Sequence, residues 1–98
     1  MSGRLIYTDV FLKDLESVCG YISEDNADET AKFAKDIFAA TEKLSEFPLS
    51  GTLPKEKPRQ LRDYRMLVFG NYIIYYQFES KTEKIYLHRI VHGARYKF

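Results

Sequence analysis

The apolar residues of this chain change their spacing partway along the sequence, and this change limits the possible folds more than any other feature. Before Pro48 they recur three and four residues apart, the period of a helix with one buried stripe. The two stripes consist of Leu12, Leu15, Val18, Cys19 and Ile22, and then of Ala34, Ile37, Phe38, Thr41 and Leu44. After a proline-containing break at 48–58, bulky residues occupy every second position, the period of a strand. These positions are Tyr72, Ile74, Tyr76 and Phe78. The sequence therefore predicts two helices followed by strands.

The remaining segments complete the order strand, helix, helix, strand, strand, strand. Residues 4–8 form a short β-like segment, and either Thr8 or Asp9 is suited to cap the first helix through a side-chain oxygen. Segments 61–69 and 85–91 supply the other strands, although the alternation of the last one fails near Arg89. Helices that lie on one side of a mainly antiparallel sheet form an α+β fold. We therefore expect a helical hairpin packed on a twisted, mainly antiparallel sheet, in one domain over residues 1–98.

Composition excludes several classes of protein. With 45% hydrophobic and 15% aromatic residues, the chain has enough apolar surface to form a core and is not disordered. The single cysteine, Cys19, excludes an intramolecular disulfide. The first residues lack the apolar stretch of a secretory signal, and no run of about 18 apolar residues is long enough for a membrane span. We expect a cytoplasmic protein without membrane contact.

The charges are distributed unevenly between the two halves of the sequence. Residues 1–47 carry five Lys or Arg against ten Asp or Glu, whereas residues 48–98 carry ten against four. The basic half contains Arg59, Arg62 and Arg65, and then Arg89, His92, Arg95 and Lys97, with tyrosines between them. Arginine binds phosphate with two parallel hydrogen bonds and tyrosine stacks on bases, so this pattern suits nucleic acid. Because Tyr and Arg also anchor protein interfaces, the residues alone leave both partners open.

No cofactor or metal is expected from the sequence. His88 and His92 are the only histidines, and no cysteine pair or third histidine accompanies them. The chain contains neither a glycine-rich phosphate loop nor a nucleophile elbow. These absences argue against a metalloenzyme, a nucleotide hydrolase and a serine hydrolase.

Three segments of the second half resemble the ending of the RelE/ParE toxin superfamily, and the ParE-like branch in particular. They are Arg62-Asp63-Tyr64-Arg65, Asn71-Tyr72-Ile73-Ile74-Tyr75-Tyr76 and Arg89-Ile90-Val91-His92-Gly93-Ala94-Arg95. Upstream, Phe47-Pro48-Leu49-Ser50-Gly51 resembles the break that follows the helical hairpin of this superfamily. The resemblance covers nearly the whole chain. It implies the toxin of a bacterial type II toxin–antitoxin pair, which arrests growth and is held by a cognate antitoxin in a hetero-oligomer.

The resemblance implies one of two activities. ParE-like members inhibit DNA gyrase and are not enzymes, whereas RelE-like members cut messenger RNA on the ribosome. The arginine of the RelE-type "GYR" segment aligns with Ile73, and only Arg95 and Arg65 keep counterparts, so we expect a gyrase inhibitor. The candidate target-binding residues are Arg62, Arg65, Arg89, His92, Arg95 and Lys97. If the protein is a ribonuclease instead, the catalytic candidates are Arg65, His92 and Arg95.

Overall fold

A computed structural model describes residues 3–23, 27–53 and 64–93 of the chain. The element order is β1 (Arg4–Tyr7), α1 (Asp9–Ser23), α2 (Ala27–Glu46), β2 (Arg65–Phe69), β3 (Tyr72–Glu79) and β4 (Lys84–His92). This order confirms the α+β prediction. Neither of the helices in the described ranges is long and apolar enough to cross a membrane.

The strands form one mixed sheet in the order β1-β4-β3-β2. β2 pairs antiparallel with β3, and β3 antiparallel with β4, which follows from the short turns that join them. β1 pairs parallel with β4, with Arg4 opposite Lys84 and Tyr7 opposite Leu87. A parallel pair needs a long crossover, and here the chain between β1 and β4 includes both helices. The sheet is therefore mainly antiparallel, as predicted, with one parallel edge.

The two faces of the sheet differ in what covers them. On one face, which we call the helix face, α1 and α2 pack on the strands around a buried core. That core consists of Phe11, Leu15, Ile37, Leu44, Ile74, Tyr76, Ile85, Leu87 and Ile90. The opposite face, which we call the open face, carries a second apolar cluster that includes no residue of either helix. Its members are Tyr64, Met66, Ile73, Tyr75 and Val91.

Thr8 joins the start of α1 to the sheet. Its hydroxyl oxygen accepts a hydrogen bond from the Phe11 amide at 3.2 Å, which satisfies one of the free N–H groups of the first helical turn. The same hydroxyl lies 3.0 Å from the carbonyl oxygen of Leu87 in β4 and donates to it. Of the two cap candidates in the sequence, the structure selects Thr8, because this residue caps the helix and holds it against β4 at once.

The loop after α2 is fixed by the buried hydroxyl of Tyr76. This hydroxyl donates to the Pro48 carbonyl and accepts from the Gly51 amide, both at 2.9 Å. Burial raises the pKa of the Tyr76 hydroxyl, so the group stays protonated and able to donate. A side chain at Gly51 has no room, since a Cβ there would lie 2.5 Å from the Tyr76 oxygen and 2.8 Å from the Met66 carbonyl. Gly51, the glycine of the break that follows the helical hairpin, is therefore required by close packing.

A β-bulge in β4 explains why the alternation fails near Arg89. Tyr76 pairs with Leu87, and the adjacent Tyr75 pairs with Arg89, so His88 is an extra residue on β4. The bulge shifts the alternation by one position. Ile85, Leu87 and Ile90 consequently all reach the core of the helix face, while Val91 joins the open face.

Substitutions at two glycines test how tightly the loop is packed. We expect Gly51→Ala to lower the free energy of unfolding by about 1–3 kcal/mol, since the added methyl group overpacks the site against Tyr76. Gly20→Ala in α1 is the matched control, because nothing lies within 4 Å of the added carbon. It should stabilise the protein by about 0.5–1 kcal/mol. Urea denaturation followed by circular dichroism measures both changes, and equal midpoints for the two variants would contradict this account of the loop.

Candidate functional site

Arg65 lies on β2 and uses its guanidinium group within the protein. Its Nη1 donates to the Gly51 carbonyl at 2.9 Å and to the Leu49 carbonyl at 3.3 Å. Arg65 is also the strand partner of Tyr76, so the two side chains hold the same loop from adjacent strands. The sequence predicted Arg65 as a target-binding residue, and the structure places it as an anchor of the loop after α2.

Arg89 forms a two-pronged ion pair with Asp14 of α1. Its Nε lies 2.7 Å from Asp14 Oδ2 and its Nη2 lies 3.0 Å from Oδ1. The Ile90 amide, next to the bulge, also donates to Oδ2 at 3.2 Å. The exposed fraction is 17% for the Asp14 side chain and 38% for that of Arg89, so this pair is better shielded from water than an ordinary surface pair. Sequence reasoning missed Asp14, whose only signal was a charge directly beside the apolar stripe of the first helix.

His92 ends β4 and packs edge-on against an aromatic ring. It is the strand partner of Tyr72, and the two ring centres lie 5.4 Å apart with an interplanar angle of 85°. Tyr72 itself packs against the core of the helix face. This setting suits the structural role that a half-buried histidine at a strand end can play.

The other predicted residues, Arg62, Arg95 and Lys97, lie outside the described ranges. Within those ranges, Arg65 binds a loop and Arg89 binds a helix, so the structure does not gather these two guanidinium groups around one target site. Two basic side chains of the second half, those of Arg65 and Arg89, therefore form contacts that stabilise the fold.

A column of stacked rings on the open face was not predicted from the sequence. The His88 ring lies parallel to that of Tyr64, with centres 4.8 Å apart and an interplanar angle of 4°. On its strand His88 is also near Tyr86, at 6.1 Å and 23°. We call these three rings the aromatic column. From the sequence alone, His88 is considered only as a possible metal ligand. The failed alternation near Arg89 indicates an irregular strand, but it does not show that His88 lies beside Tyr64.

The imidazole of His88 is held neutral and oriented. Burial lowers the pKa of His88 below its ordinary value of 6.5. Its Nε2 lies 2.8 Å from Gln77 Oε1, and this contact orients the ring, with Nε2 as the donor in the tautomer that carries the proton there. In the part of the chain that is described, no group of three His, Cys, Asp or Glu side chains is arranged to hold a metal ion.

A groove runs between α2 and the edge strand β2 on the helix face. Its volume is about 530 Å³, and we call it the edge groove. Its lining consists of Asp36, Ala39, Ala40, Lys43, Leu44, Phe47, Ser50, Leu67 and Phe69. Most of these residues are apolar, and the two alanines leave space beside the helix for another chain. Between Leu67 and Phe69, Val68 is the strand partner of Ile73 and points to the open face, where its side chain is 64% exposed.

Comparison with known proteins gives consistent matches. The family model described as the ParE toxin of the type II toxin–antitoxin system parDE matches residues 5–96. The fold is similar to the chromosomal ParDE toxin–antitoxin system from P. aeruginosa, with a TM-score of 0.73 and 17% identity over 93% of this chain and 96% of that one. It is also similar to the toxin–antitoxin complex RelBE2 from Mycobacterium tuberculosis, with a TM-score of 0.61 and 18% identity over 94% of this chain and 99% of that one. The search of curated proteins found no match.

The lowered pKa of His88 predicts how stability depends on pH. A histidine whose pKa is lower in the folded than in the unfolded state binds fewer protons when folded, so stability falls as the pH drops through 6.5. We expect the urea concentration at the unfolding midpoint of the wild-type protein to decrease when the pH is lowered from 7.5 to 5.5. The midpoint of His88→Gln should decrease less over the same interval. Lys32→Ala, at an exposed position of α2, leaves both histidines in place and is the control, which should keep the wild-type dependence. Identical pH dependence of the wild-type and His88→Gln proteins would show that this ring is not held neutral by the fold.

Proposed function

The chain belongs to the ParE toxin family of type II toxin–antitoxin systems, and on this basis we propose that it inhibits DNA gyrase and is neutralised by a cognate antitoxin. The observation that carries this proposal is the match of the family model over residues 5–96, nearly the whole chain. The strand, helix, helix and three-strand order, and the similarity to ParDE, agree with it.

The basic residues Arg65 and Arg89 form hydrogen bonds within the protein, and this favours gyrase over RNA as the target. A ribonuclease needs a phosphate-binding cation and an acid or base gathered around one reacting group. Arg65, a candidate for such a cation, donates to two carbonyls of its own loop, and Ile73 occupies the position of the RelE-type arginine. RelE-like cleavage of ribosome-bound messenger RNA is the alternative. One observation favours this ribonuclease activity. The neutral imidazole of His88 has a lone pair that can accept a proton, as a general base must.

We propose that contact with the target is divided among the predicted residues. Arg62, Arg95 and Lys97 would bind gyrase directly, whereas His92, packed edge-on against Tyr72, would hold the end of β4 in position. Arg65 and Arg89 would act indirectly, by holding the loop and α1 in place, since each already has an internal partner. A guanidinium held between two oxygen acceptors loses little entropy on binding, but it also has fewer N–H groups left for a new partner.

We propose that the antitoxin binds in the edge groove. The two similar structures are toxin–antitoxin complexes, which supports such a partner for this chain. An amphipathic segment of the antitoxin would place apolar side chains between the two alanines of α2 and the residues Leu67 and Phe69 of β2. β2 is an edge strand of the sheet, so an extended segment would have backbone groups to pair with beyond the Thr52–Met66 bridge.

The first functional prediction concerns the target. We expect the purified protein to inhibit DNA supercoiling by gyrase, which an agarose gel measures. We expect it to leave ribosome-bound messenger RNA intact, which a sequencing gel measures. Arg95→Ala should weaken the inhibition about tenfold, as truncation of an anchoring arginine does. Lys32→Ala, at an exposed position of α2, is the control and should act as the wild type. Cleaved messenger RNA with normal supercoiling would instead identify the RelE-like activity.

The second functional prediction concerns the edge groove. We expect Ala39→Arg to weaken binding of the antitoxin encoded by the neighbouring gene at least about tenfold, because the long charged side chain fills the groove. Ala31→Arg, at an exposed position of α2 outside the groove, should bind as the wild type. Isothermal titration measures both affinities, and gyrase inhibition by free Ala39→Arg verifies that the toxin is intact. If Ala39→Arg bound the antitoxin as tightly as the wild type does, the antitoxin would have to bind a surface other than the edge groove.

A further inference from the structure

We propose that the outer edge of β1 binds a second copy of this chain, with the two β1 strands paired antiparallel across a two-fold axis at Ile6. The pairing joins two sheets edge to edge, at the side of each sheet opposite to β2. This interaction goes beyond gyrase inhibition and does not depend on it. Three observations support it: the backbone groups of the edge, the side chains around the axis, and the spacing of the charges.

The outer edge of β1 has backbone groups that point away from its own sheet. The Arg4 amide donates to the Glu83 carbonyl at 2.7 Å and the Thr8 amide to that of Leu87 at 3.2 Å. In the parallel register of β1 and β4, alternate residues of β1 therefore pair with β4, and Leu5 and Tyr7 point outward. Among the residues that the structure describes, none forms a backbone hydrogen bond with the outward groups of Leu5 and Tyr7.

The end of α2 limits the length of this free edge. Gly3 also points outward, but its amide donates to the Ser45 carbonyl at 2.8 Å and its carbonyl accepts from the Ser45 hydroxyl at 2.7 Å. On the other side, α1 begins two residues after Tyr7. A partner strand therefore has one short segment to pair with, and Ile6 is at its centre.

The outward groups of this segment are complementary to those of a second copy. In an antiparallel pair, two residues that lie opposite each other can exchange both of their backbone hydrogen bonds. A two-fold axis at Ile6 places Leu5 opposite Tyr7 of the second copy, and Tyr7 opposite its Leu5. All the outward amides and carbonyls of the two strands then have partners. The same patch serves both copies, which is the arrangement of an isologous dimer interface.

The side chains at the axis also match. Leu5 and Tyr7 pack against the core of the helix face, so alternation along β1 directs Ile6 to the open face. There Ile6 meets Ile6 of the second copy in a position where opposite Cβ atoms lie about 5 Å apart. All three side chains are only partly buried in the single chain. The second copy consequently covers apolar surface on both faces of the sheet.

The spacing of the charges is compatible with this pairing. Arg4 is the charged residue of β1 and is exposed. The two-fold axis at Ile6 places it opposite Thr8 of the second copy, which is neutral. The two Arg4 residues are then separated by four positions along the strands, about 14 Å, which exceeds the Debye length of about 8 Å at physiological ionic strength. Edge strands often avoid association by means of charged side chains, and here the like charges do not oppose each other.

A second copy fits this edge better than an antitoxin segment does. The antitoxin is proposed to bind in the edge groove, beside β2, so it leaves β1 uncovered. Self-pairing satisfies every outward group of β1 without requiring any residue outside this chain. Both interactions can therefore occur together, in an assembly of two toxins with two antitoxins.

The test is sedimentation equilibrium of the full-length protein, without gyrase or antitoxin. We expect the wild type to dimerise at about 100 µM, where an interface of micromolar Kd is saturated. Ile6→Lys and Ile6→Glu each place like charges opposite each other, and each should raise the dimer Kd at least about tenfold. An equimolar mixture of the two variants pairs Lys with Glu and should dimerise nearly as the wild type, which separates association from folding. Val68→Lys, on the open face of the opposite edge strand, is the matched control and should dimerise normally.

Several results would overturn the proposal. They are a wild type that stays monomeric at about 100 µM, an unchanged dimer Kd in Ile6→Lys, and a mixture that dimerises no better than its two components. A monomeric wild type whose affinity for the antitoxin falls in Ile6→Lys, but not in Val68→Lys, would also overturn it and assign the β1 edge to the antitoxin. Because neither gyrase nor antitoxin is present in the sedimentation experiment, this proposal and the proposed toxin function can fail separately.

Discussion

The bulge at His88 is the constraint on which both faces of the sheet depend. Without an extra residue on β4, strict alternation would direct Ile90 to the open face and Val91 to the core, the reverse of what is found. A bulge interrupts the ladder, and its polar groups need other partners. Asp14 accepts from the Ile90 amide, and the Thr8 hydroxyl donates to the Leu87 carbonyl. The attachment of α1 and the irregularity of β4 are therefore the same set of interactions.

A second fixed point lies on the same helix face, toward the edge of the sheet formed by β2. Tyr76 and Arg65, partners on adjacent strands, together bind three carbonyls and one amide of the loop that follows α2. This loop connects the helical hairpin to the edge strand, and Thr52 within it pairs with Met66 of β2 through two backbone hydrogen bonds. Loss of the Tyr76 hydroxyl would leave the Pro48 carbonyl and the Gly51 amide without this partner. Because unpaired buried polar groups destabilise a fold, the loop would be held less firmly against the strand edge. The shape of the edge groove thus depends on these few hydrogen bonds.

The sequence predicted the element order because hydrophobic spacing reports directly on which side of a helix or strand is buried. It could not predict the face that Arg89 occupies, since the failed alternation marks an irregularity in the last strand but does not tell which residue is the extra one. It also could not separate arginines that bind a target from arginines that bind the protein itself. The partners of Arg65 and Arg89 are 14 or more residues away in sequence, and in two cases they are backbone carbonyls that no residue pattern encodes. His88 acquires its stacking partner Tyr64 only through strand pairing, 24 residues away in sequence.

The edge strand β2 contributes side chains to both faces of the sheet. Leu67 and Phe69 face the helices and line the edge groove, while Met66 belongs to the open-face cluster and Tyr64 immediately precedes the strand. An antitoxin segment in the groove would contact β2 from the helix face without covering the aromatic column. Such a partner would neutralise the toxin by blocking the sheet edge and the loop held by Arg65, rather than by burying the rings of the open face. With the proposed antitoxin segment in the edge groove, the open face of the sheet would remain accessible.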